Sequence, residues 1–259
     1  MALLCTKDAT MRFGGLTAVN KLNIRVEPHK IVAIIGPNGA GKTTAFNMIT
    51  GVYTPSDGTV EFEGKALNKL RPDQITKLGI SRTFQNIRLF KNLSVLDNML
   101  VGGHLHVKSG LFATVLQLPN SRTEEKNMRE RALYLLEQVG LSDHRDDIAS
   151  SLPYGSQRRL EIARALMAQP QLLLLDEPAA GMNPKETKDL GAFIQKIRDD
   201  FQLTILLIEH HMKLVMEISD DIYVLEYGNT IAHGMPEQIK YDPVVIKAYL
   251  GEGDEDAAY

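Results

Sequence analysis

A single cysteine, Cys5, is all the chain holds for covalent cross-linking, so no intrachain disulfide can form and a reducing compartment suits it. At 259 residues, the chain can bury a sizeable core without such staples. No apolar run approaches the roughly 20 residues that cross a bilayer, which predicts a soluble protein whose membrane association would run through partners. Ala2-Leu3-Leu4-Cys5 faintly matches a lipoprotein cleavage site. It lacks the basic stretch and longer apolar run of a secretion signal, and Cys5 is expected in a first strand. The net charge of −3 gives no electrostatic case for nucleic acid as the main partner. Internal repeats and low-complexity segments are absent too.

What remains is ordinary in bulk and organised in detail. Hydrophobic content of 44% and charged content of 24% fit one α/β domain, or a core with a smaller subdomain. Ile24-Arg25-Val26-Glu27 and Thr59-Val60-Glu61-Phe62-Glu63 alternate as half-buried strands do, the second behind a Pro55-Ser56-Asp57-Gly58 turn. Ile31-Val32-Ala33-Ile34-Ile35 is continuously apolar and reads as a strand buried on both faces. A Gly-rich loop follows, then a helix over 43–50. Residues 93–141 change to helical spacing, with Leu133, Leu136 and Val139 on one face and Gly140 suited to a helix end. Within them 104–122, carrying Gly110, Pro119 and Asn120, reads as a loop or broken helix. Beyond Tyr154, helix over 158–168, strand over 172–175, helix over 184–199 and strand over 204–208 alternate, which predicts a mostly parallel sheet. Residues 251–259 are acidic and small, and read as a frayed tail.

Gly36-Pro37-Asn38-Gly39-Ala40-Gly41-Lys42-Thr43 matches the phosphate-binding loop pattern in full, between a strand and a helix. Its glycines let backbone N–H groups turn inward as an anion nest at a helix N-terminus. Lys42 supplies a point charge for the β- and γ-phosphates, the Thr43 hydroxyl is a Mg²⁺ ligand, and Thr44 belongs to the same nest. Chance produces this pattern roughly once in a hundred chains of this length. A nucleoside triphosphate and Mg²⁺ are the expected ligands, and the loop alone would suit kinases and GTPases as well. Leu172-Leu173-Leu174-Leu175-Asp176-Glu177 is the second constellation, an apolar strand delivering carboxylates at its C-terminal end. Asp176 would hold Mg²⁺, mostly through water, and Glu177 would polarise the attacking water. Alone, an Asp-Glu-Pro sequence can equally open a solvated loop; the phosphate loop is what favours function.

These residues resemble the ATP-binding-cassette family over nearly the whole chain. The resemblance implies a P-loop NTPase (RecA-like) α/β core with an antiparallel β subdomain and a helical subdomain. The core would occupy about 1–88 and 165–250, and the helical part about 89–164. Gln85, in Arg82-Thr83-Phe84-Gln85, resembles the family's glutamine that reaches Mg²⁺ and the γ-phosphate. Leu152-Pro153-Tyr154-Gly155-Ser156-Gln157-Arg158-Arg159 resembles the signature motif, which contacts the nucleotide of an opposite protomer. It departs from the common Leu-Ser-Gly-Gly-Gln at Pro153, Tyr154 and Ser156, and Ser156 is a candidate substitute hydroxyl. Gly181-Met182-Asn183 resembles the loop that crosses the dimer interface, with Asn183 where aspartate is common. His210 matches the histidine that contacts the γ-phosphate and orients water, and Phe13 matches the aromatic platform for adenine. For Phe13 and His210 alone, a structural role is the competing reading.

The Arg82-Thr83-Phe84-Gln85-Asn86-Ile87-Arg88-Leu89-Phe90 segment and the ending after Gly234 narrow the resemblance to ATP-binding subunits of bacterial branched-chain amino-acid uptake systems. That group implies two integral-membrane permease subunits, a paralogous ATPase, an extracytoplasmic solute-binding protein and a peripheral place on the cytoplasmic face of the inner membrane. Arg88 and Phe90 are candidate permease contacts. Urea or amide uptake and lipopolysaccharide export are the neighbouring transport readings. A soluble cassette protein outside transport is disfavoured by the absence of a coiled-coil insertion or second cassette.

Overall fold

In the computed structural model, which describes residues 2–104 and 119–250, the chain divides into two units: 1–85 with 171–259, and 86–170. The first unit holds two sheets. One is antiparallel, built from β1 (Leu4–Phe13), β2 (Leu16–Leu22), β3 (Arg25–Val26), β5 (Asp57–Phe62) and β6 (Lys65–Ala66) in the order β2-β1-β5-β6, with β3 paired to β1. Alternation decides the faces of β5: Val60 and Phe62 are buried while Thr59 and Glu61 are only partly so. Cys5 lies in β1. Of the alternating residues 24–27, only Arg25 and Val26 pair as a strand.

The second sheet has six strands in the order β11 (Asn229–Gly234), β10 (Asp221–Glu226), β4 (Ile31–Ile35), β9 (Thr204–Ile208), β8 (Leu172–Asp176) and β7 (Ile80–Arg82). From β10 to β7 every neighbour is parallel; β11 returns antiparallel beside β10. All residues of β4, β8 and β9 are buried, as their unbroken apolar runs require. Helix α1 (Lys42–Ile49) brings Phe46 and Ile49 into one core with Leu174 and Leu206 of this sheet and Val60 and Phe62 of the other. Each such side chain contributes about 1.5–3 kcal/mol by leaving water. Helix α2 (Pro72–Lys77) precedes β7.

The second unit contains α3 (Val95–Gly103), α4 (Pro119–Gln138) and α5 (Tyr154–Leu166). Its first loop is held by Asn98, which is fully buried. The amide accepts from the Phe90 N–H at 2.9 Å and donates to the Phe90 carbonyl at 3.0 Å. The expected irregular stretch 104–122 lies mostly outside the described residues, but its end is corrected: α4 begins at Pro119, a residue tolerated in a first helical turn. Helix α5 likewise begins four residues before the expected 158, with Pro153 as its N-cap residue. The tail 251–259 lies outside the described residues. Among the described residues, no helix is long and apolar enough to cross a membrane.

The remaining helices of the first unit are α6 (Pro184–Asp200), α7 (Met212–Ile218), α8 (Pro236–Lys240) and α9 (Pro243–Leu250). Asn183 caps α6: its Oδ1 accepts from the N–H groups of Lys185 and Glu186 at 3.0 Å, and Glu186 accepts from the Asn183 N–H at 3.0 Å. Aspartate serves this box equally well. Asn183→Ala should therefore cost about 1 kcal/mol and lower the thermal midpoint by about 2–4 °C. Asn183→Asp should stay within about 0.5 kcal/mol of the parent in the same circular-dichroism melts. Equal losses in both variants would remove the cap from the account.

Candidate active site

Because β4, β9, β8 and β7 are adjacent and parallel, their C-terminal ends open on one edge of the sheet, where ligand sites of open α/β sheets form. The loop after β4 reaches α1 through three glycines with positive φ: Gly36 at +145°, Gly39 at +77° and Gly41 at +100°. A Cβ on Gly36 would strike the Leu225 carbonyl, and one on Gly41 would come within 2.6 Å of the Ala18 carbonyl. The Lys42 ammonium folds back over this loop, donating to the carbonyls of Gly36 at 2.5 Å and Pro37 at 2.8 Å.

Residues 38–44 and Glu177 line one cleft of about 310 Å³, so the expected phosphate loop and the expected base meet there. Leu16, Thr17, Ala18 and Tyr227 line it as well, and sequence reasoning missed all four. Tyr227 and Gly228 form the β10–β11 turn with φ of +45° and +80°, a conformation that usually selects Asn-Gly. Gly228 pins the turn, donating to the Ala40 carbonyl at 3.0 Å and accepting from the Asn20 N–H at 2.8 Å. A Tyr-Gly pair marks a turn in sequence, but nothing local ties it to a loop so far upstream. Phe13 is 41% exposed at the end of β1 and meets Tyr53 edge-on at 5.2 Å; it is not among the residues lining this cleft.

At the end of β8, Asp176 and Glu177 diverge. Asp176 is buried and accepts from Arg82 Nη2 at 2.7 Å. Glu177 adopts φ +44°, unusual for any residue with a side chain and more so before Pro178. Hydrogen bonds hold it there: the Glu177 N–H donates to the Ile208 carbonyl at 2.8 Å, and its own carbonyl accepts from the Ala180 N–H at 3.1 Å. Its Oε2 accepts from Gln85 Nε2 at 2.8 Å and lies 3.5 Å from His210 Nδ1. Glu177, Gln85 and His210 thus converge on one carboxylate oxygen. Contact with His210 draws the Glu177 pKa below its ordinary value against the opposing effect of burial. The same contact raises that of His210.

Three oxygen donors expected for Mg²⁺, the Thr43 hydroxyl, the Asp176 carboxylate and the Gln85 amide oxygen, have the chemistry a hard cation prefers. Thr43 lines the cleft, and Gln85 and Asp176 follow β7 and end β8. The residues fit the ion. Glu209, His210 and His211 also bring ligand atoms within 4.8 Å of one another. The Glu209 carboxylate, however, already accepts from the backbone N–H groups of Ala179, His210 and His211, which marks it as a loop clamp. Met182 follows in the turn leading to Asn183, its N–H donating to the Ala179 carbonyl, and Gly181 takes φ +79°.

In the other unit, Tyr154, Gly155, Ser156 and Gln157 form the first turn of α5, which has no side-chain cap. Gln157 turns back to the Leu152 carbonyl at 2.8 Å. Arg158 is wholly buried and pairs with Glu161 at 2.7 Å, so this part of the motif works inside the unit.

The ABC transporter family model matches residues 19–180, and a model for the branched-chain amino acid ATP-binding cassette transporter matches 229–255. The high-affinity branched-chain amino acid transport ATP-binding protein LivG of Escherichia coli is 52% identical, covering 96% of this chain and 98% of its own length. Its Pseudomonas aeruginosa counterpart BraF is 51% identical over the same shares. Among solved structures, the ADP conformation of MJ1267, an ATP-binding cassette of an ABC transporter, superposes with a TM-score of 0.86 at 33% identity, covering 97% of this chain and 99% of that one.

Because the carboxylate favours the imidazolium, the His210 ring should titrate above about 6.5 by NMR. Glu177→Gln removes that charge and should bring the value down toward it. An unmoved titration would break the link between the two groups.

Proposed function

The chain belongs to the ABC transporter family, and we propose that it is the ATP-hydrolysing subunit of an importer for branched-chain amino acids, working on the cytoplasmic face of a bacterial inner membrane. The observation that carries the enzymatic part is the single cleft lined by the Lys42 loop and Glu177. Support for the solute comes from the C-terminal match over 229–255 and from relatives named for that transport. Partners on this reading are two integral-membrane permeases, a paralogous ATPase and an extracytoplasmic binding protein. In the second unit, exposed Phe90 and Arg88 are the permease contacts.

ATP hydrolysis needs positioning and charge stabilisation more than covalent chemistry. The amides of residues 38–44 and the Lys42 ammonium hold the phosphates, and Phe13 provides the platform for adenine. Thr43, Asp176 and Gln85 would hold Mg²⁺, Asp176 mostly through water, and the ion would offset the negative charge of the phosphates. Glu177 takes the proton of the attacking water, and the contact with His210 favours the charged form of its carboxylate. His210 fixes the carboxylate and contacts the terminal phosphate. Tyr154, Gly155, Ser156 and Gln157 present a helix N-terminus to the nucleotide of an opposing cassette, and Gly181, Met182 and Asn183 line the same junction.

Glu177→Gln should bind ATP with affinity close to the parent while turnover falls about 10²- to 10⁴-fold in a phosphate-release assay. Parent-like turnover would remove Glu177 from the base role. With the permeases reconstituted in vesicles, leucine, isoleucine or valine with the binding protein should raise ATP hydrolysis. Stimulation by urea or a short amide instead would reassign the solute.

A further inference from the structure

Arg82 ends β7 three residues before Gln85, and nothing in the motif pattern gives it a task. Its side chain is 8% exposed and that of its partner Asp176 is 7% exposed, so the two charges meet almost out of water. One arm of the fork, Nη2, donates to Asp176 Oδ2 at 2.7 Å. The other, Nη1, donates to Asn47 Oδ1 at 2.7 Å, with Thr50 Oγ1 further off at 3.4 Å. The guanidinium lies over the rings of Phe46 at 5.5 Å and Phe84 at 5.1 Å. Asn47 and Phe46 belong to α1, the helix that starts at Lys42, and Thr50 is its C-cap residue. One side chain therefore links the strand carrying the metal carboxylate, the helix carrying the phosphate loop, and the segment leading to Gln85.

We propose that Arg82 is a positioning residue for the cation site: by gripping Asp176 Oδ2 while anchored on Asn47, it fixes the carboxylate so that Oδ1 can accept from a water of the Mg²⁺ shell. This rests on the assignment of Asp176 to the metal in the preceding section. A buried carboxylate needs a partner to remain charged at all, but any cation would serve that purpose. A rigid, forked donor reaches Asp176 and Asn47 from two separate nitrogens in a fixed plane. Lysine would have to serve both acceptors from one nitrogen on a flexible stem. The anchor on α1 also means that the metal carboxylate and the phosphate loop are held to a common reference, which a pair serving stability alone would not need.

The test is calorimetric titration of the full-length chain with ATP, over a series of Mg²⁺ concentrations and again in EDTA. Arg82→Met, which keeps apolar contact with Phe46 and Phe84, should raise the Mg²⁺ concentration for half-maximal tightening about tenfold, the weight of one charge-assisted hydrogen bond. Affinity in EDTA should stay within about twofold, since the amide nest and Lys42 are untouched. Arg82→Lys should fall between the parent and Arg82→Met. Asn47→Ala frees the anchor without stranding a buried charge, and should shift the metal requirement about threefold; it carries the test if Arg82→Met fails to fold. An unchanged or lowered Mg²⁺ requirement in these variants, or an equal loss with and without metal, overturns the proposal. Absence of any Mg²⁺ effect in the parent overturns the cation site itself, and this inference with it.

Discussion

Parallel pairing of β4, β9, β8 and β7 is the constraint from which the site follows. A parallel ladder fixes not only which strands are neighbours but where each one stops. In register, Ile34 stands beside Ile208, Ile208 beside Asp176, and Arg82 beside Leu174. Chain segments far apart in sequence thus deliver a glycine loop, two carboxylates, a histidine and a glutamine to one edge. Each strand needs only to be apolar and of the right length; the chemistry resides in the first residues beyond it. This is why fully buried, chemically silent runs such as Leu172 to Leu175 matter to catalysis.

Charge at this edge is arranged in pairs. Lys42 rests on carbonyls of its own loop, Asp176 on Arg82, and Glu177 on His210 and Gln85. Glu209 is tied instead to the backbone N–H groups of Ala179, His210 and His211. Two acidic residues at the ends of adjacent strands thus do different work, and the difference lies in their acceptors' partners. Glu177 keeps a carboxylate accessible from the cleft, whereas Glu209 is wholly enclosed.

Much of this was legible in sequence, for identifiable reasons. Gly36 and Gly41 are spelled out because no side chain fits their surroundings, and β4, β8 and β9 because burial on both faces leaves no room for polar residues. Where contacts are long-range, the text is silent. Arg82 reads as a strand residue until Asn47 and Asp176 arrive beside it, and Tyr227 as a turn until Gly228 meets Ala40. Asn183 looked like a departure from a motif; its capping bonds show a role that asparagine and aspartate share. Pro119 reads as part of a loop or broken helix, yet it lies in the first turn of α4, where the ring's fixed torsion does no harm.

The backbone of Glu177 has a wider implication. Its left-handed torsion, in front of Pro178, stores roughly 1–3 kcal/mol that only the surrounding amide bonds sustain. The aim of the carboxylate is consequently set by main-chain geometry, and the acceptor that secures it belongs to Ile208, a residue without any reactive group. On the proposed role of Glu177 as base, a shift of the main chain at this greasy position would misaim the carboxylate while the acid itself stays in place.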